Sequence, residues 1–358
     1  MRDHNVGLSF LVKNGKNQEY DLEEVVNKAD VSTNKKFYHK FVYPNLFWII
    51  FLHTCALTGL YYLFKAKVLT LLWLFTLGFF SAEAITLGAH RYYSHKSYKA
   101  TTFLRTAMII FQTIAGQNSM FTWARDHRLH HKYSDSDADP HNAARGFVFS
   151  HIGWLVTRKH PLVIQKGKCI EVSDLLEDKI LMFQHNYFVP VYLIVGFLCP
   201  TFIPVLVWNE DWWTSFLVAY CLRYTVVLHL TWCVNSLAHM VGTKPYDGRI
   251  HSTDSELVAN LTGGDGWHNY HHSFPWDARA GEFSVRGGFN TKCLLKLAKY
   301  GLAYDLKTAS DTVVEGHTNR HGDGTRPILA EQPDKKQEDG YLKNGGVNAP
   351  KLNGVKTN

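Results

Sequence analysis

The stretch FVYPNLFWIIFLHTCALTGLYYLF, residues 41–64, decides the fold class because it contains no Asp, Glu, Lys or Arg. A helix needs about 20 apolar residues to cross the hydrocarbon core of a bilayer. Three further blocks are similar, with Glu83 and Arg223 as their only such charged residues: 68–88, 187–208 and 213–234. Four blocks of this length fit membrane spans better than buried helices of a large soluble protein. The sequence therefore predicts an all-α integral membrane protein with four transmembrane helices.

The distribution of positive charge predicts the orientation of these helices. Four crossings place both termini, and the long segment between the second and third crossings, on one side of the membrane. Of the 38 Lys and Arg residues, only Lys65 and Lys67 lie in the two short turns on the other side, and Arg223 lies within a crossing. Because positive charge marks the cytoplasmic face, we expect both termini to be cytosolic.

Composition divides the chain into three parts. Residues 1–40 are polar and of mixed charge, which predicts a cytosolic N-terminal segment without a cleavable signal peptide. Residues 41–310 are expected to form the membrane domain with a cytosolic helical cap, and residues 102–122 a helix in that cap or on the membrane surface. From 311 to 358, Gly, Asn, Lys, Asp and Pro dominate, which predicts a disordered cytosolic tail. The six cysteines lack disulfide or CxxC spacing, which indicates reduced thiols.

Nine of the twenty histidines occur in short repeated spacings. The motifs are HRYYSH, HRLHH, NSLAH and HNYHH, and their histidines are His90, His95, His127, His130, His131, His239, His268, His271 and His272. Each group lies at or just beyond the cytosolic end of a crossing, so all nine can meet in one place. Spacings of three and four put the HRLHH rings on one face of a helix. Isolated histidines such as His39, His160 and His185 are interpreted as ordinary polar residues.

This set of histidines predicts metal binding. Imidazole is a good ligand for Fe, Zn or Cu near neutral pH. A tetrahedral site takes four ligands, so nine histidines suit two metal ions with four or five ligands each. No cysteine joins the motifs, which argues against zinc fingers and iron–sulfur centres. The pattern alone does not choose between redox-active iron and zinc. Asp135, Asp137 and Asp139 either orient the imidazole rings or form a solvated acidic loop.

HRYYSH, HRLHH and HNYHH resemble the three histidine boxes of membrane fatty acyl-CoA desaturases, the stearoyl-CoA desaturase family. Further segments resemble that family in the same order: TWARDHRLHHKYSDSDADPHN, GFVFSHIGWL, RKHP, VSDLLEDK, RYTVVLHLTWCVNSLAH, GTKPYD and GWHNYHHSFPWD. The resemblance covers roughly residues 41–304. In detail it is strongest to insect acyl-CoA desaturases, a group that includes enzymes of pheromone and cuticular lipid synthesis.

The resemblance implies a multi-pass enzyme of the endoplasmic reticulum membrane with two Fe2+ ions. Such enzymes introduce a cis double bond into the chain of a fatty acyl-CoA, using O2 and electrons from cytochrome b5 and its reductase. No nucleic acid partner and no catalytic residue beyond the di-iron centre are expected.

The resemblance also assigns roles to individual residues. The nine histidines would be the iron ligands, and Asn235 would reach one iron through a water molecule. Gln117, Trp123 and Thr231 match positions that shape the bend of the acyl tunnel. A last group matches positions that hold the CoA end: Asn45, Arg125, Asp126, Arg158 and Lys159.

Some positions depart from the family pattern, among them Tyr92, Asp265 before GWHN, and Glu83 and His229 within crossings. All nine ligand positions are kept, so these departures bear on the substrate and bond position rather than on the chemistry. We expect Glu83 to interact with His229, or with His53 instead. The remaining alternative is that Glu83 is simply protonated.

Three other functions fit parts of the pattern. The same site could hydroxylate its substrate or act on an already unsaturated chain. The protein could also be a membrane metal transporter, although transporter sites lie near the bilayer midplane and these histidines lie at helix ends. A structural membrane protein without activity would not need the complete ligand set.

Overall fold

The computed structural model describes residues 31–282 and 288–326 of the chain. Within them the fold is helical, with a single two-stranded antiparallel sheet that pairs β1 Lys99–Ala100 with β2 Ala303–Tyr304. The α-helices, numbered in chain order, are α1 Tyr43–Tyr62, α2 Val68–Glu83, α3 Thr102–Ala115, α4 Met120–Tyr133, α5 Trp154–Val156, α6 Pro161–Gly167, α7 Ser173–Glu177, α8 Lys179–Asn186, α9 Phe188–Val191, α10 Cys199–Trp208, α11 Trp212–Ser215, α12 Arg223–Ser236, α13 Glu256–Thr262, α14 His268–Ser273, α15 Phe289–Lys299 and α16 Asp311–His321. Segments of π-helix are Ala84–Ser94, Phe149–Gly153, Tyr192–Leu198 and Phe216–Leu222, and segments of 3-10 helix are Ala143–Arg145 and Leu237–His239. Most of the predicted N-terminal segment and tail, residues 1–30 and 327–358, lies outside the described residues.

Four continuous helices of the described chain are long and apolar enough to cross a membrane, as the sequence predicts. They are span 1 Tyr43–Tyr62, span 2 Val68–Ser94, span 3 Phe188–Trp208 and span 4 Trp212–His239. Spans 2 and 4 continue past the predicted limits of 88 and 234 because their polar ends are buried by the rest of the protein, as His90 and His239 are. The predicted fold class, a mostly helical four-span membrane protein, is confirmed.

The two short turns between spans meet at the end of the molecule opposite the histidines. The Glu210 carboxylate accepts a hydrogen bond from the Lys67 backbone N–H at 2.8 Å and another from the Thr70 hydroxyl. Trp208 Nε1 donates to Thr70 Oγ1 at 2.8 Å. These contacts tie the span 1–span 2 turn to the span 3–span 4 turn. All the motif histidines are therefore left at the other end.

Spans 1 and 4 pack closely around a small residue. A Cβ added to Gly59 would lie 2.6 Å from the Leu217 carbonyl oxygen, so the two backbones approach too closely for a larger side chain. Leu52, Cys221 and Trp232 fill the buried interface beside it. Because real Cβ contacts do not come that close, we infer that this glycine fixes the distance between the spans.

Span 2 changes from α-helix to π-helix at Ala84, just before HRYYSH. The His95 backbone N–H donates to the His90 carbonyl at 3.2 Å, which is a hydrogen bond across five residues. In an α-helix, residues five apart point about 140° away from each other. The wider π turn brings both imidazoles to one face, with ring centroids 5.0 Å apart. The five-residue spacing of this motif thus depends on the π-helix.

The predicted helix over residues 102–122 is wrong in extent. The structure has two helices there, because α3 ends at Ala115 and α4 begins at Met120. Gly116 adopts a left-handed conformation with φ 69°, and a Cβ there would lie 2.8 Å from the Tyr224 ring. The Ser119 side chain then caps α4 by accepting from the Thr122 N–H. Glycine C-caps and serine N-caps are the usual signals for such a break.

The expectation of disorder from residue 311 onward is wrong for Asp311–His321, which forms α16. Ser310 caps this helix, and Val314 is buried in an aromatic cluster with Tyr246 and Phe274. His317 Nε2 also lies 3.2 Å from the Asp247 carboxylate. A polar composition suggested disorder, but one apolar contact and a cap are enough to hold this helix against the protein.

Candidate metal centre

The structure brings all nine motif histidines together. Four segments carry them: the π-helical end of span 2, helix α4, the 3-10 turn that ends span 4, and helix α14. The rings separate into two clusters, in each of which the possible ligand atoms lie within 4.8 Å of one another. The first cluster contains His90, His95, His127, His131 and His271, and the second contains His130, His239, His268 and His272. The numbers five and four agree with the sequence expectation of two metal sites.

The ring nitrogens of the first cluster face one another at short range. His90 Nε2 lies 2.8 Å from His271 Nε2, and His95 Nε2 lies 2.9 Å from His127 Nε2. His271 Nε2 also lies 3.0 Å from His131 Nε2. Helix α4 contributes His127 and His131, four residues apart, to this cluster. It contributes His130 to the second cluster, so this one helix joins the two sites.

The second cluster is oriented by two buried carboxylates. His130 Nδ1 lies 2.8 Å from Asp139 Oδ2, and His239 Nδ1 lies 3.0 Å from Asp135 Oδ2. Because a carboxylate only accepts, each Nδ1 carries the proton and each Nε2 presents its lone pair. His239 Nε2 lies 3.1 Å from His268 Nε2, which lies 3.0 Å from His272 Nε2. Converging lone pairs of this kind are stabilised by a cation, so the residues present fit a metal ion.

The acidic loop is buried, so the alternative of a solvated loop is wrong. Asp135 and Asp139 hold histidines, whereas Asp137 pairs with Arg145 and accepts from the Asn34 N–H at 2.9 Å. Burial would raise the pKa of the Asp135 carboxyl, but the charge and hydrogen bond of His239 outweigh it and lower that pKa. The carboxylate is therefore kept in the ionised form that orients the imidazole.

The protonation states of the rings also suit metal binding. Burial, with repulsion from neighbouring cations, lowers the pKa of His95 to about 3. Burial, with smaller contributions from the neighbouring histidines, lowers the pKa well below its ordinary value for His127, His131, His268, His271 and His272. Metal ligation requires the unprotonated ring nitrogen. These histidines are neutral near pH 7 and ready to bind.

Sequence reasoning missed one buried histidine beside the second cluster. His141 lies with His130 and Asp139 in a third group of possible ligands, and its Nδ1 is 3.6 Å from Asp139 Oδ1. Burial lowers the pKa of His141 to about 3, so this ring is also neutral. The available signal was the DPH sequence, which places His141 two residues after the aspartate that orients His130.

A cavity of about 650 Å3 opens beside both clusters. Its lining includes His90 and His127 of the first cluster and His130 and His268 of the second. From there it extends between spans 2 and 4 toward Leu74 and Leu60, where the walls are apolar. Asn235 also lines this cavity. An extended apolar molecule is the kind of ligand that fits such a space.

The three residues expected at a tunnel bend are linked by hydrogen bonds. Gln117 Nε2 donates to Thr231 Oγ1 at 2.8 Å, and Trp123 Nε1 donates to Gln117 Oε1 at 3.3 Å. Trp123 and Thr231 line the cavity next to the first cluster. The side chains hold one another in place, so this part of the wall has a fixed shape.

The residues expected at the CoA end include a charged group of Arg125, Asp126 and Lys159. Arg125 and Lys159 bind the two carboxylate oxygens of Asp126, at 2.8 Å and 2.6 Å. Burial would raise the pKa of Asp126, but these cations outweigh it and lower that pKa. Asn45 Nδ2 donates to the Leu155 carbonyl at 2.9 Å, and the Arg158 N–H donates to the Lys40 carbonyl at 2.9 Å. Asn45, Arg158 and Lys159 thus lie on or against the chain segment 155–159, and Lys159 links that segment to Asp126 and Arg125.

The expected contact between Glu83 and His229 does not form, and neither does the alternative contact with His53. His229 Nε2 lies 3.1 Å from His53 Nε2, and its Nδ1 lies 3.0 Å from His151 Nε2. Glu83 Oε2 is buried without a hydrogen-bond partner among the described residues. Glu83 lies on the cavity side of span 2, whereas His229 faces span 1, so the two side chains point to different neighbours.

Comparison with known proteins agrees with this geometry. The fatty acid desaturase family matches residues 66–279, which is more than half of the chain. The chain is 46% identical over 323 residues to an acyl-CoA Delta-9 desaturase of Acheta domesticus, covering 89% of this chain and 90% of the relative. It is 44% identical to an acyl-CoA Delta(11) desaturase of Trichoplusia ni, with 89% and 91% covered. Identity to stearoyl-CoA desaturase 5 of Bos taurus is 45%, with 79% and 85% covered.

These findings define the class of this protein. It belongs to the fatty acid desaturase family, and the resemblance inferred from the histidine motifs is confirmed. Within that family, the relatives named above are acyl-CoA desaturases of animals, two of them insects.

Proposed function

We propose that this protein is a fatty acyl-CoA desaturase that introduces a cis double bond into the acyl chain. The observation that carries the proposal is the pair of histidine clusters opening on one long, largely apolar cavity. The names of the relatives support the same reaction, and none of them names a hydroxylase or a transporter. The position of the histidines at the ends of spans 2 and 4 also argues against a transport site at the bilayer midplane.

The two clusters would hold two iron ions, one with five histidines and one with four, and Asn235 would contact one ion through water. Bound there, iron supplies the redox chemistry with O2 that an unactivated C–H bond requires and that zinc lacks. Asp139 and Asp135 keep the rings of His130 and His239 in the ligating tautomer. Burial lowers the pKa of rings such as His268 and His271, which reduces competition between protons and metal for their nitrogens, whereas the Asp139 carboxylate outweighs burial and raises the pKa of His130.

The protein's own residues would position the substrate. The apolar walls between spans 2 and 4 exclude water and hold the alkyl chain, which offers no polar group to grip. The Gln117–Thr231–Trp123 group sets the shape of the chain beside the metal centre. At the outer end, Arg125 and Lys159 would exchange part of their interaction with Asp126 for the phosphates of CoA. Asn45 and Arg158 flank that end.

The electrons would come from cytochrome b5 and its reductase. The motif histidines and most positive charges lie at the same end of the spans, and a basic surface suits an acidic partner. By the positive-inside rule that end would be cytosolic, with both termini on the same side, and the family resemblance implies the endoplasmic reticulum membrane.

Expression in a yeast strain that lacks its own fatty acid desaturase tests this function. We expect new double bonds in the cell lipids, located by mass spectrometry, and growth without added unsaturated fatty acid. His268→Ala should abolish both while the protein remains in the membrane, whereas His321→Ala, outside the clusters, should leave both unchanged. A membrane-inserted, metal-containing protein that yields no new double bond would contradict the proposal.

A further inference from the structure

The cavity beside the metal centre carries hydrogen-bonding groups among its apolar residues. Helix α12 contributes Val226, Leu230 and Val234, together with Arg223, Thr231 and Asn235. A polar wall formed by span 2, α13, the loop after it and α15 adds a second set: Glu83, Thr86, Asn260, Asp265 and Asn290. A saturated alkyl chain makes no hydrogen bond to any of these groups. A group on the polar wall that no other residue satisfies therefore needs an explanation beyond holding a hydrocarbon.

Most of the charge on the polar wall is already paired. The Arg91 guanidinium, 1% exposed, donates to Asp265 Oδ1 at 3.1 Å and to the Ala278 carbonyl at 2.9 Å. The second oxygen of Asp265 accepts from the Thr86 hydroxyl at 2.6 Å. Arg91 and Thr86 thus satisfy Asp265 in the described structure. Both oxygens of this carboxylate already accept hydrogen bonds from the protein, so we do not expect it to bind a ligand.

Glu83 is different, because its Oε2 is buried and lacks a hydrogen-bond partner among the described residues. The two histidines that the sequence analysis expected to bind Glu83, His53 and His229, form a hydrogen bond with each other instead. A buried polar atom without a partner is unfavourable, and native proteins usually satisfy such atoms with another group, water or ligand. The side chain that lines the cavity at this point therefore offers an unused hydrogen-bonding site.

The position of Glu83 relates this site to the reacting part of the substrate. Glu83, Thr86 and His90 follow one another on the same face of span 2, and all three line the cavity. Seven residues of the chain, π-helical from Ala84 onward, separate Glu83 from His90. A chain that passes the metal centre at His90 and continues between spans 2 and 4 would meet the Glu83 carboxyl in its distal half.

We propose that Glu83 is a specificity-determining residue that favours acyl chains carrying a hydroxyl group on this distal half. The inference rests on the proposed function and names its substrate class. A hydroxyl both donates and accepts, so it can bond to a carboxylate or to a protonated carboxyl. A site built to bond a hydroxyl discriminates against the chain that lacks it, because the protein group is then left without a partner.

The test compares wild type with Glu83→Leu and Glu83→Gln in lipid nanodiscs. The probes are stearoyl-CoA and a set of its positional isomers with one hydroxyl on the distal half of the chain. Direct binding (Kd) and kcat/KM are both measured, so the binding arm works without turnover. Wild type should prefer one isomer over stearoyl-CoA by roughly tenfold, the equivalent of one good hydrogen bond. Glu83→Leu should abolish that preference, and Glu83→Gln should keep part of it.

A matched control removes a carboxyl elsewhere. Glu177→Leu, on the exposed surface of α7, should leave the preference unchanged. The inference is overturned if wild type binds no isomer better than stearoyl-CoA, or if Glu83→Leu keeps the same preference. If stearoyl-CoA is desaturated in that case, the proposed function stands and only the inference fails. If no acyl-CoA is desaturated by wild type, the proposed function fails, and the Kd values still decide the role of Glu83.

Discussion

At the scale of single residues, the carboxylates behind the histidines matter as much as the ring nitrogens that face each other. Asp139 is 3% exposed, and besides His130 Nδ1 it accepts the backbone N–H groups of Asp135 and His141. One side chain thus fixes both the orienting loop and the tautomer of a ligand. The Asp135–His239 pair repeats this arrangement from a different part of the chain.

Asp139→Asn should therefore weaken metal binding in the second cluster without unfolding the protein. The amide keeps the size of the carboxylate but loses its charge, and loss of such a partner typically costs 10- to 100-fold in metal affinity or activity. Competition with a chelator measures the affinity. Asp305→Asn, whose carboxylate pairs with Lys99 on the surface, is the control and should change nothing. If Asp139→Asn binds metal as tightly as Asp305→Asn does, Asp139 does not orient a metal ligand.

Arg125 provides a second residue-scale prediction. Arg125→Ala should raise the KM for acyl-CoA by roughly tenfold with little change in kcat, because a charge-assisted hydrogen bond to the CoA phosphates is lost. The effect should shrink at high salt, which screens exposed charges. Lys299→Ala, at an exposed position on α15, should leave KM unchanged. An unchanged KM for Arg125→Ala at low salt would mean that this side chain serves only its ion pair with Asp126.

At the scale of helices and strands, the π-helical end of span 2 is the least ordinary feature. HRYYSH places two histidines five residues apart, and only the π turn turns both toward helix α4. Helix α4 needs no such device, because spacings of three and four already share a face of an α-helix. The sequence predicted the shared face of the HRLHH histidines on α4. It did not predict the π turn of HRYYSH, since a π-helix has no clear local sequence signal.

Spans 1 and 4 are joined by the contact between His53 and His229, and Glu83 of span 2 forms the expected pair with neither of them. His53 Nδ1 donates to the Ile49 carbonyl at 2.7 Å, and its Nε2 faces His229. A double-mutant cycle with His53→Phe and His229→Asn should give a coupling of about 1 kcal/mol in unfolding free energy, as expected for residues in contact. A parallel cycle with Glu83→Leu and His229→Asn should give additive effects. Strong coupling in the second cycle would contradict the structure.

At the scale of the whole molecule, local signals predicted much of the fold. The four spans follow from apolar length, and the meeting of nine histidines follows from the position of each motif at the end of a span. The partners of Asp135 and Asp265 could not be predicted, because His239 and Arg91 lie far away from them in the sequence. The same holds for α16, whose stability comes from the contact of Val314 with Tyr246 and Phe274.

The sequence singled out residues for the tunnel bend and for the CoA end, but not what they would bond to. Gln117 and Thr231 are 114 residues apart and still form a hydrogen bond. Lys159 and Asp126, 33 residues apart, are joined in the same way. Such pairs depend on the packing of spans and cap together, which a single sequence does not encode in any local pattern.

The most direct test of the central claim is the metal content of active protein. Iron and zinc per chain are measured in purified protein together with its desaturation rate on an acyl-CoA. Wild type should contain about two iron atoms per chain, one for each histidine cluster. His131→Ala in the first cluster and His268→Ala in the second should each lose iron and activity. Full desaturation activity of wild type that contains zinc but no iron would contradict the account. So would a His268→Ala variant that keeps its full iron content and full activity.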